Sequence, residues 1–114
     1  MAKVNIVCEN DADFIRGFIY QYESGARVDL SGNKMRMGIR RRAEDIIEDL
    51  LLTTENGGVI ITNASQGQFS VYITKTQLKE LPIGDYEHSL VRIIDGTSLR
   101  IWSGTLTNNA GPSR

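Results

Sequence analysis

The chain has 114 residues, enough for one hydrophobic core and not for two. Apolar residues make up 40% of it and charged residues 24%, the balance of an ordinary globular domain rather than of a disordered chain or a fibre. Thirteen basic residues against fourteen acidic ones leave a net charge of -1. That balance offers no whole-molecule attraction to nucleic acid or to an anionic membrane, and neither is an expected partner.

No apolar run approaches the roughly 20 residues that cross a bilayer, and no basic segment leads into an apolar run at the N-terminus, so folding in a cytosol is expected. Cys8 is the single cysteine, which excludes an intrachain disulfide and predicts a buried, inert thiol. His88 is the single histidine and is expected as a packed side chain, not a metal ligand. No cofactor is expected.

In chain order, the first predicted strand is Val4 to Cys8, with Val4, Ile6 and Cys8 on one face, closed by the acidic stretch Glu9 to Asp13. Phe14 to Tyr22 alternates next; Gly17 marks a bulge or a close backbone approach, and Ser24-Gly25 marks a reversal. Lys34 to Arg42 alternates most cleanly, with Met35, Met37 and Ile39 inward and Lys34, Arg36 and Arg40 outward. Arg40, Arg41 and Arg42 form a basic run, but Glu44, Asp45, Glu48 and Asp49 follow at once and predict local neutralisation.

Over residues 43 to 52 helical and strand patterns compete, and a short helical or irregular segment leading into a strand is expected. Asn56-Gly57-Gly58 is a turn; Val59 to Thr62 and Gln68 to Thr74 form a hairpin through Ala64 to Gly67. Thr74 or Thr76 caps a helical turn over Gln77 to Leu81, which crosses from one sheet to the other and stops at Pro82. Asp85 to Ile94 and Leu99 to Thr107 are the last strands, joined at Asp95-Gly96. Residues 108 to 114 read as a flexible tail outside a single domain of residues 1 to 107. The whole pattern is that of an all-β, antiparallel two-sheet sandwich of about seven strands with one short helical segment.

Catalytic signatures are missing: there is no Walker spacing, no metal-spaced histidine pair and no Gly-x-Ser-x-Gly. The carboxylates at Glu44, Asp45, Glu48 and Asp49 read as a solvated acidic face rather than a glycosidase pair. A non-enzymatic protein is expected. Most aromatic side chains fall on inward faces; Tyr72 and Trp102 are the two whose parity leaves a surface role open. Tyr86 follows Leu81-Pro82-Ile83-Gly84-Asp85 and is expected to be a structural corner, its hydroxyl bonding back to the preceding turn.

The order of these signals resembles a known group. Asp13-Phe14-x-Arg16-Gly17, Val28-Asp29-Leu30-Ser31-Gly32 before Met35-Arg36-Met37, and Leu52 to Gly58 are followed by Thr76-Gln77-Leu78, Leu81-Pro82-x-Gly84-x-Tyr86 and Arg100-x-x-x-Gly104. This order is similar to small tailed-phage and prophage virion proteins related to the N-terminal domain of baseplate upper proteins. The resemblance spans residues 13 to 107 and rests on turn and core residues.

It implies an Ig-like β-sandwich and a virion component, made in the bacterial host cytoplasm, that serves as a tail, baseplate or fibre-attachment adaptor. Because the chain ends at Arg114 where the baseplate protein continues, a standalone subunit is expected. Its expected partners are other virion proteins (tail, portal or connector, or fibre), met in multiple copies in a symmetric assembly. The first strand and the C-terminal tail are the expected contact elements, and Val4, Ile6, Trp102, Arg40, Arg41 and Arg42 the candidate interface residues. A carbohydrate-binding or capsid-decoration sandwich is the alternative.

Overall fold

In the computed structural model, residues 2–114 are described, and they form an all-β sandwich. The strands are β1 (Ala2–Lys3), β2 (Ile6–Glu9), β3 (Phe14–Ile19), β4 (Lys34–Arg40), β5 (Leu50–Thr53), β6 (Val59–Asn63), β7 (Gln68–Ile73), β8 (Gly84–Ile94) and β9 (Thr97–Asn109). One helix, α1 (Lys75–Glu80), links β7 to β8. The larger sheet runs β1-β9-β8-β4-β5, with β2 also on β9, and the smaller runs β3-β7-β6.

The nine strands exceed the expected seven partly because a two-residue strand, β1, precedes the predicted Val4 to Cys8 strand, which is paired only from Ile6 on, as β2. Between the two the strand breaks at Val4 and Asn5, where the Asn5 side chain accepts from the Thr105 N–H at 3.2 Å in place of a backbone carbonyl. Gly104 makes this possible, because a methyl group built there would overlap the Val4 carbonyl oxygen. Both pieces pair with β9 in parallel, a correction to the purely antiparallel expectation: the first and last strands of the chain run the same way.

The core lies between the sheets. Met35, Met37 and Ile39 of β4 face inward as their alternation predicts, and meet Phe69, Val71 and Ile73 of β7 within one buried cluster with Leu30, Leu52 and Leu106. Residues 43 to 49 form no helix: bends and turns lead into β5. The helical turn sits where Thr74 caps it, accepting from the Gln77 N–H at 3.1 Å while Gln77 Oε1 accepts from the Thr74 N–H at 2.9 Å, a reciprocal capping box. Leu78 anchors α1 in the core, and Asn108 Nδ2 donates to the Leu78 and Leu81 carbonyls, both at 2.9 Å.

Asn108 therefore belongs to the domain, and the boundary expected after Thr107 is corrected: β9 continues to Asn109. Beyond it the Gly111 N–H donates to Asn10 Oδ1 at 2.8 Å and the Ser113 N–H to Asp11 Oδ2 at 3.1 Å. The composition of this segment hides the anchor because it is polar; hydrogen bonds through backbone amides, two asparagines and the Asp11 carboxylate hold it, not apolar side chains.

Candidate functional site

The three arginines of the basic run, at the end of β4 and just past it, all find partners within the chain. Arg40 donates to the carbonyls of Asp45 (3.2 Å) and Ile46 (2.8 Å) and approaches Glu48 at 3.5 Å. Arg41 lays its guanidinium 4.4 Å from the centroid of the Tyr86 ring, donates to the Ile83 carbonyl, and its main-chain N–H meets Asp49 Oδ2 at 3.0 Å. Arg42 pairs with Glu44 at 3.7 Å and Asp45 at 3.4 Å. Ala43 adds a main-chain bond to Glu87 Oε2 at 2.6 Å. The run thus binds its own following loop.

The consequence is a pinned loop over residues 43–49 whose tip is apolar. Ile46 is 96% exposed and Ile47 74% exposed, the two most exposed large hydrophobic residues among those described. Two adjacent β-branched aliphatics thus stand in water on a loop held by charge-assisted bonds at both ends. Arg41, Glu44, Asp45 and Asp49 join them around a shallow depression of about 500 Å³. The sequence shows Ile46 and Ile47 plainly, but helical spacing with Leu50 and Leu51 suggests burial; only the absence of a helix turns them outward.

Beside this loop the outer face of the large sheet carries a polar cleft of about 500 Å³, into which Arg36, Arg40, Lys3 and Arg100 project. Arg36 holds Glu48 through both carboxylate oxygens at 2.9 Å. Gly38 permits this, since a Cβ there would lie 2.6 Å from Glu48 Oε2. Arg36 and Arg40 therefore share the single Glu48 carboxylate.

The chain matches no protein-family model and no curated protein sequence.

Two of the candidate interface residues are corrected by their placement. Ile6 is buried in the core cluster. Trp102 is only 3% exposed and packs its ring 4.5 Å from Phe18 and 5.7 Å from Phe69, centroid to centroid. A bulge decides the tryptophan's side: Leu90 pairs with Trp102 and Val91 with Arg100, so Ile101 is extra and both Ile101 and Trp102 turn inward. Val4 is half-buried against the same core. Tyr72 does lie outward, its hydroxyl donating to Asp13 Oδ2 at 3.2 Å.

Tyr86 is buried beside the pinned loop and its hydroxyl donates to the Pro82 carbonyl four residues upstream, closing the corner between α1 and β8. His88 is buried in the same strand with Nε2 3.1 Å from the Thr105 carbonyl, and burial pushes its pKa below the usual value. Burial raises the Cys8 thiol to about 11. Among the described residues no group of three His, Cys, Asp or Glu side chains is placed to hold a metal, and no helix is long and apolar enough to cross a membrane.

Proposed function

We propose that this chain is a non-enzymatic structural subunit of a tailed-phage virion, an adaptor at the tail, baseplate or fibre-attachment point that works through protein–protein contact. The observation that carries the reading is the arginine-pinned loop with Ile46 and Ile47 at its tip. The order of turn and core motifs, similar to that of virion proteins, supplies the setting.

The energetics suit a repeated contact. Burying one aliphatic side chain of this size contributes about 1.5–3 kcal/mol, so two contribute about 3–6 kcal/mol before the cost of association is subtracted. A single copy then holds a partner weakly, and several copies about a symmetry axis convert weak contacts into firm attachment. Charges around the tip, already paired with one another, set orientation more than affinity.

The test is affinity capture and light scattering of the purified protein with purified tail, portal and fibre proteins encoded beside it. Capture of one of them by the wild type, weakened at least tenfold by Ile46→Lys or Ile47→Lys at unchanged melting temperature, supports the adaptor reading. Retention on an immobilised glycan with no virion protein bound replaces it with a carbohydrate-binding module.

A further inference from the structure

A two-sheet sandwich has four free edges, and three of them here are closed. The β1/β2 edge is broken at Val4 and Asn5 and carries Lys3 and Glu9. The β5 edge is capped by one side chain, Asn56, which donates to the Leu51 carbonyl at 2.9 Å and accepts from the Thr53 N–H at 2.8 Å. The β6 edge is kinked by a register shift between Ile61 and Asn63. Each is a known way of refusing an extra strand.

The β3 edge has none of these devices. Its six residues pair with β7 in unbroken register, from Phe14 with Ile73 to Ile19 with Gln68. It has no proline and one charge, Arg16; Ile15 is 66% exposed, Ile19 52%, and Gly17 between them is exposed.

Two hydrogen bonds fix which main-chain groups face outward. The Tyr20 N–H donates to the Gly67 carbonyl at 2.8 Å, toward β7, so by alternation the N–H groups of Phe18, Arg16 and Phe14 point the same way. On the other strand the Tyr72 N–H donates to the Gly58 carbonyl at 2.9 Å, away from β3, which leaves Val71, Phe69 and Ile73 to bond with Arg16, Phe18 and Phe14. Both observations turn the N–H and C=O groups of Ile15, Gly17 and Ile19 to the free side, and no loop main chain reaches them.

We propose that this edge is a self-association site, where β3 pairs antiparallel with β3 of a second copy about a two-fold axis through Gly17. Strand pairing demands that outward main-chain groups meet and that opposed side chains share a face. Residues 15, 17 and 19 meet both demands together in the register that sets Gly17 on Gly17 and Ile15 against Ile19 of the second copy. Gly17 removes the side chain that would stand on the axis, so the isoleucines close over it. On the other face Arg16 opposes Phe18 of the second copy, the same pair of residue types that already meets within one chain at 4.9 Å. The contact is isologous, and it joins two three-stranded sheets into one of six strands.

Sedimentation velocity of the full chain over a wide concentration range is the first readout, with a concentration-dependent dimer expected. Gly17→Pro removes the outward N–H at the axis without touching the β3–β7 ladder and should weaken the dimer at least tenfold. Cysteine substitutions read the register even if that proline unfolds the chain. In the proposed pairing the two Gly17 Cα atoms lie about 5.5 Å apart, within the disulfide range, whereas the two Ile15 Cα atoms lie about 14 Å apart. Mild oxidation should link Gly17→Cys dimers and leave Ile15→Cys unlinked, with buried Cys8 silent in both. A protein that stays monomeric at every concentration overturns the proposal, and so does equal linking of the two cysteine variants. Capture of virion proteins through Ile46 and Ile47 is a separate readout and does not depend on this edge.

Discussion

Trp102→Ala tests the central packing argument, because parity along the sequence leaves the ring free to face either way and the bulge at Ile101 turns it inward. A buried tryptophan cut to alanine costs about 3–5 kcal/mol through lost transfer energy and the cavity left behind. Loss of its contacts with Phe18 and Phe69, each worth about 0.5–1.5 kcal/mol beyond area, places this site at the upper end. Against a total stability of about 5–15 kcal/mol, that removes a third of the stability or more. At about 4 °C per kcal/mol the midpoint should fall by about 12–20 °C. Trp102→Phe should cost far less, about 0–1.5 kcal/mol, since the buried Nε1–H has no acceptor and its removal relieves an unpaired donor that costs about 1–3 kcal/mol. Urea unfolding followed by circular dichroism measures both variants, and as the only tryptophan Trp102 also reports wild-type unfolding by a red shift of its emission. A midpoint for Trp102→Ala within about 0.5 kcal/mol of wild type, or equal costs for Ala and Phe, would refute the inward assignment.

Tyr86→Phe should cost about 1 kcal/mol in the same assay by leaving the Pro82 carbonyl without its donor, while the stacked Arg41 is retained. Gly104→Ala should destabilise by several kcal/mol or release the first strand, seen as faster amide exchange at Ile6 to Glu9, whereas Gly96→Ala, with open space around it, should cost about 1 kcal/mol for its positive φ alone. His88 contributes a pH dependence. Its folded pKa lies below the unfolded value of about 6.5, so the unfolded chain binds the extra proton, and stability is complete above that pH and declines as pH falls through it. The slope should approach at most about 1.4 kcal/mol per pH unit, and His88→Gln should flatten it in melts between pH 5 and 8. Cys8 should resist thiol reagents at pH 8 in the native protein and react fully in urea, since burial holds the thiol near 11.

Sequence alone determined the elements whose signal is local. Alternation placed Met35, Met37 and Ile39 inward, Thr74 or Thr76 followed by Pro82 bracketed the helical turn, whose cap the structure assigns to Thr74, and Asn56-Gly57 and Asp95-Gly96 marked the turns. These follow from the two-residue period of a strand and from hydrogen bonds that reach three residues along the chain. Tertiary structure decided what depends on groups far apart. The extra residue at Ile101 reverses side-chain parity only when β8 lies alongside, so Trp102 could not be placed from β9 by itself. The break between β1 and β2 needs Gly104, about a hundred residues away, and the fate of residues 108 to 113 needs Asn10, Asp11 and the ends of α1. The exposed isoleucines of the 43–49 loop and the open β3 edge follow the same rule: their residues are visible in the sequence, but whether water or protein covers them is set by which strands become neighbours.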